Sequence, residues 1–112
     1  MIDSYDFGTI VVNGRKFTSD LIISKKGINP SWWRKKGHEL SNEDIEQVLI
    51  EPPEILIIGT GYSGVLNVPK NVENYIRSKG VEVIVKRTEE ACKEYNKLSE
   101  KHDVIAALHL TC

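Results

Sequence analysis

The sequence predicts an α/β domain in which successive β-α-β units lay down parallel strands. Residues 55–58 and 81–85 are short, nearly unbroken apolar runs, the pattern of strands buried on both faces. Between and after them the apolar residues take helical spacing: Val72, Tyr75 and Ile76 on one segment, then Ala91, Tyr95 and Leu98 at i, i+4 and i+7. With residues 104–110 as a closing strand, the C-terminal half reads β-α-β-α-β, so at least three strands should share a sheet covered by helices. A chain of 112 residues has material for one core and not two, and residues 1–112 are read as one domain.

The elements follow in order. Residues 5–12 are rich in aromatic and β-branched side chains, Asn13-Gly14 is a two-residue hairpin turn, and residues 15–17 begin the return strand, an N-terminal antiparallel hairpin. Residues 20–24 form another short strand. Lys25, Lys26, Gly27, Asn29 and Pro30 then break regular structure, leaving a long loop over residues 25–40. Ser41 supplies an N-cap hydroxyl ahead of an acidic first turn and Ile45, Val48 and Leu49, predicting a helix over 42–50 that Pro52-Pro53 stops. After the 55–58 strand, Val68-Pro69 leads into a helix with Gly80 just past its end, and Thr88 with Glu89 and Glu90 caps the next one.

Composition narrows the function classes. Fifteen basic residues against sixteen acidic leave a formal charge of -1, so no global field draws the chain to nucleic acid or to an anionic membrane. The first residues lack the basic start and long apolar run of a signal peptide, and no segment approaches the ~20 apolar residues that cross a bilayer. The expected address is cytoplasmic. Cys92 and Cys112 read as two thiols rather than a bridge, with Cys92 at the edge of the core.

The segment ILIIGTGYSGV, residues 55–65, runs a strand into Gly59, Gly61 and Gly64, the spacing of a phosphate-binding loop. Its context argues otherwise. A dinucleotide site needs the third glycine to open a helix, whereas Val65 to Pro69 favours extended chain, and Lys86-Arg87 stands where an acidic residue would bind a ribose. No lysine and hydroxyl follow Gly64 as in a P-loop. Two readings remain: the glycines make a tight exit from the sheet, or Thr60, Tyr62 and Ser63 offer hydroxyls to a small anion or polar peptide at the C-terminal end of a buried strand.

A second candidate is Trp32-Trp33-Arg34-Lys35-Lys36-Gly37-His38, two large aromatics among cationic side chains. Either one tryptophan packs on the sheet while the bases are solvated, or the loop is a recognition surface. His109 and Cys112 lack the paired spacing of a metal site, no nucleophile-base constellation is visible, and no cofactor is expected.

Taken together, W-W-R-K-K-G-H, ILIIGTG, T-E-E-A-C-K-E-Y-N and the ending A-A-L-H-L-T-C resemble the Mth-domain family over nearly the whole chain. The positions that match are Trp33, Arg34, Gly37, Gly59, Gly61, Thr88, Ala91, Tyr95, Asn96 and Cys112. The resemblance implies a three-layer α/β fold with a mixed central sheet and an added antiparallel β part. It implies no catalytic residues, and its complex I assembly-factor branch implies work through protein contacts. The expected function is therefore a non-enzymatic protein-interaction or assembly module, a monomer or weak homodimer, with Trp33, Arg34, Lys35, Gly59, Thr60, Gly61, Tyr62 and Ser63 as the candidate binding residues. The alternative is a small anionic-ligand domain, or an enzyme, using the Gly59 to Gly64 loop.

Overall fold

The computed structural model describes residues 1–112. Strands β1 (Ile2–Asp6), β2 (Thr9–Val12) and β3 (Arg15–Phe17) form a small antiparallel sheet in that order. Strands β4 (Leu21–Ser24) and β5 (Gly27–Asn29) join β6 (Ile55–Thr60), β7 (Glu82–Lys86) and β8 (Val104–His109) in a five-stranded sheet ordered β5-β4-β8-β6-β7. β6 pairs parallel with both β7 and β8, while β4 runs antiparallel to β8, so the central sheet is mixed.

The period-2 alternation of the central strands divides the interior into two halves. Ile55, Ile57, Ala106, Leu108, Leu21 and Ile23 pack against helix α3 (Thr88–Leu98) and the inner face of the small sheet. Leu56, Ile58, Ala107 and Ile22 face the opposite way, against helix α1 (Glu46–Leu49), helix α2 (Lys70–Arg77) and the buried Trp32. Three layers result, and β6 is buried at all its positions. Asn96 ties the outer layer together: its Oδ1 accepts from the Ile2 amide and its Nδ2 donates to the Ile2 carbonyl, both at 2.8 Å.

Four local expectations change. Residues 5–12 are two strands, because Phe7-Gly8 is itself a turn with Gly8 at φ 76°, a signal hidden by the apolar Phe7. The expected Asn13-Gly14 turn is there, both residues at positive φ as a type I′ hairpin requires. The loop over 25–40 contains β5, which turns at Lys25-Lys26 and pairs with β4, tertiary pairing overriding a poor strand composition. The helix over 42–50 opens as a 3-10 turn, Asn42–Ile45, before α1. Ser41 is its N-cap as expected and forms a capping box with Asp44, whose carboxylate accepts from the Ser41 amide at 2.8 Å. Thr88 is the first residue of α3, not its cap, because its hydroxyl is committed to the sheet.

Candidate functional site

The two segments singled out by sequence meet at the C-terminal end of the central sheet. A parallel bridge between Glu39 and Asn67 joins them, with the Asn67 amide donating to the His38 carbonyl and the Leu40 amide to the Asn67 carbonyl, both at 2.9 Å.

In the aromatic-basic loop, adjacent tryptophans have opposite fates. Trp32 is 4% exposed and donates its indole N–H to the Asp44 carbonyl at 2.9 Å, whereas Trp33 is 74% exposed. A large apolar ring held out by an anchored neighbour costs little ordering entropy when a partner covers it. Arg34 turns inward. Its guanidinium lies 4.8 Å from the Trp32 ring, donates from Nη1 to Asp20 Oδ2 at 2.8 Å and from Nη2 to the Gly37 carbonyl at 3.1 Å. Lys35 is exposed and pairs with Glu43 at 2.9 Å, and Lys36 pairs with Glu39 at 3.4 Å. Asp44 holds the backbone beneath them, its Oδ1 accepting from the Lys35 amide at 3.0 Å.

Asp20 and His109 complete a buried polar cluster. His109 Nδ1 lies 2.8 Å from Asp20 Oδ2 and 3.1 Å from Arg34 Nη2. A proton assigned to Nδ1 and donated to the carboxylate accounts for the shorter contact, and Asp20 Oδ1 accepts from the Leu110 amide at 2.8 Å. Burial pushes the Asp20 carboxyl up, but the hydrogen bonds from His109, Leu110 and Arg34 outweigh it and bring its pKa to about 2. His109 Nε2 and Arg34 Nε are left buried without partners.

In the glycine turn the chain's own last residues occupy the ground a ligand would need. The Tyr62 amide donates to the Thr111 carbonyl at 2.7 Å and the Val65 amide to the Cys112 carbonyl at 3.0 Å. Gly61, at φ 106°, lies so near this segment that a Cβ would stand 2.4 Å from the Cys112 carbonyl carbon. At Gly59 a Cβ would meet Leu108 Cδ2 and Thr88 Oγ1, each at 2.8 Å. The Thr88 hydroxyl needs that space, since it accepts from the Gly61 amide at 2.8 Å and donates to the His109 carbonyl at 2.6 Å. Thr60 donates its hydroxyl to the Lys86 carbonyl at 3.2 Å, leaving Ser63 and Tyr62 as the exposed hydroxyls of the turn. Tyr62 packs against Phe7, ring centroids 5.8 Å apart, and the two rings are 45% and 54% exposed.

Asp20 and Phe7 escaped the sequence reading, which weighed His109 only as a metal ligand and Thr88 only as a helix cap and a family-matching position. Asp20 and His109 lie far apart in the chain, and only the mixed sheet brings Asp20, just before β4, beside His109 on β8. Cys92 lies inside the core rather than at its edge, and burial pushes its thiol up to about 12, which keeps it unreactive. Cavities of about 520 and 500 Å³ lie on either side of the β4–β5 hairpin, and none of the candidate binding residues lines them.

The family model described as "Protein of unknown function (DUF498/DUF598)" matches residues 2–109. Among curated proteins, the NADH dehydrogenase (ubiquinone) 1 alpha subcomplex assembly factor 3 of Xenopus tropicalis is 29% identical over 108 residues, covering 95% of this chain and 58% of that protein. The chain thus spans little more than half the length of that relative. The crystal structure of a conserved hypothetical protein from Pyrococcus horikoshii OT3 is similar over 100% of this chain and 99% of its own, with 30% identity and a TM-score of 0.86. A Mth938-like domain of Bordetella pertussis shares the fold at 22% identity and a TM-score of 0.73, over 98% of this chain and 85% of its own. With a model that matches residues 2–109, the chain belongs to the DUF498/DUF598 family, and its fold is that of the Mth938-like domain.

Proposed function

We propose that this chain is a non-enzymatic protein-interaction module that serves in the assembly of a larger complex and docks through the C-terminal end of its central sheet. The exposed Trp33 carries the reading: a tryptophan 74% open to solvent, on a loop clamped by Trp32, Arg34 and Asp44, has the composition and rigidity of an interface anchor. Phe7 and Tyr62 add a second exposed aromatic contact at the same end of the fold. The similarity to an assembly factor supports the same role. The anion alternative would use Arg34, Lys35 or Lys86 as anchors. Against it, Arg34 and Lys35 each face a carboxylate and the Tyr62 and Val65 amides are spent on the C-terminal carbonyls, which leaves Lys86 as its one unpaired cation.

Arg34 serves this site by positioning. Its side chain is 6% exposed and pairs with Asp20, so replacing it would unsettle the loop rather than only remove a contact. The test is a photo-crosslinking side chain at position 33, with the exposed position 90 on α3 as control, expressed in the native host. A discrete adduct of one protein from position 33 and none from position 90 is the expected result. Equal labelling at both positions would remove Trp33 from the interface.

A further inference from the structure

The five-stranded sheet has two free edges, and they differ. β5 is three residues long, preceded by Lys25-Lys26 and followed by Pro30, the features that keep a sheet edge from pairing with another chain. β7 is five residues long, has no proline and keeps its charges at its two ends: its sequence is Glu82-Val83-Ile84-Val85-Lys86. That order is complementary to itself. In an antiparallel pairing of two copies about Ile84, Glu82 of one copy falls opposite Lys86 of the other, Val83 opposite Val85, and Ile84 opposite Ile84.

The backbone agrees with this register. The Glu82 amide donates to the Glu54 carbonyl at 3.0 Å and the Lys86 carbonyl accepts from Thr60, so residues 82, 84 and 86 turn their polar groups toward β6. Those of Val83 and Val85 therefore point outward at the open edge. Pairing about Ile84 makes Val83 and Val85 the hydrogen-bonded partners. Glu82–Lys86 and Ile84–Ile84 become the non-hydrogen-bonded pairs, in which side chains approach most closely. Side-chain faces match as well: Ile84 leans toward α3, Val83 and Val85 toward α2, and each meets its like across the axis. Within the chain neither Glu82 nor Lys86 has an ion-pair partner.

We infer that β7 is a self-association edge, and that two copies of this chain pair β7 to β7 about a two-fold axis at Ile84 to form one continuous sheet. The inference goes beyond the Trp33 reading and does not rest on it, because β7 lies at the far edge of the sheet from β4 and β5.

Sedimentation velocity from about 1 µM to about 1 mM should show a reversible monomer–dimer equilibrium. Glu82→Lys and Lys86→Glu each place like charges opposite one another and should weaken the dimer roughly tenfold, whereas E82K/K86E restores both pairs and should recover it. Hydrogen exchange on the unaltered chain provides an independent reading: the Val83 and Val85 amides should slow as concentration rises. A monomer at the highest concentration, a dimer indifferent to both single reversals, a charge swap that fails to rescue, or Val83 and Val85 exchange independent of concentration would overturn the inference. Trp33→Ala should leave the dimer unchanged, which separates this result from the fate of the Trp33 site.

Discussion

The aromatic-basic loop and the glycine turn look equally ligand-ready in sequence, yet the fold uses them in opposite ways. The loop turns Arg34 inward to Asp20 and His109 and leaves Trp33 outside, so buried charge holds the loop while a large apolar ring stands among its exposed polar residues. The turn gives up its backbone to the chain's own end, through contacts from Tyr62 and Val65 to Thr111 and Cys112. A cluster of binding-type residues is thus evidence of a site only after the partners inside the molecule are known.

The largest expected effect comes from the loop's buried charge. Asp20→Ala leaves Arg34, 6% exposed, without its carboxylate and should cost about 4 kcal/mol in urea unfolding. A loss below about 1 kcal/mol would mean that Arg34 finds water or another acceptor and that the cluster does not anchor the loop. Next is the turn. Gly61→Ala sets a Cβ against Cys112 at a positive φ and should cost about 3 kcal/mol, with new mobility in the last two residues by NMR. An equally stable variant with an unmoved C-terminus would refute the close approach as the reason for glycine.

Acid should separate the two regions as well. The Asp20 pKa is lowered to about 2 in the folded chain, so its contribution is fully present above the unfolded value near 4 and is lost as pH falls from there through 2. The contribution is on the order of 2 kcal/mol, and Asp20→Asn should flatten the stability–pH curve across that window. Gly61→Ala should shift the same curve down without changing its slope there. The smallest effect belongs to the exposed ring: Trp33→Ala should change stability by no more than about 0.5 kcal/mol. A loss above about 2 kcal/mol would show that Trp33 packs in the fold and is not held out for a partner.

The sequence by itself determined the β-α-β-α-β half, the Asn13-Gly14 turn and the apolar stripes of α2 and α3. These rest on local rules: strand and helix periods, prolines that stop helices, and a turn that needs positive φ at successive residues. It also identified Trp33 and the glycine turn as the places to look, since exposed aromatics and glycine after a buried strand are compositional signals. Only the tertiary structure decided that β5 is a strand, that Thr88 spends its hydroxyl on Gly61 and His109 rather than on its helix, and that Arg34 faces Asp20 instead of solvent. Each of these depends on residues far apart in the chain: Asp20 and His109 are 89 positions apart and meet because β4 pairs antiparallel with β8. Local propensity carries no information about such a meeting, because the energy that selects it arises from burying both groups together.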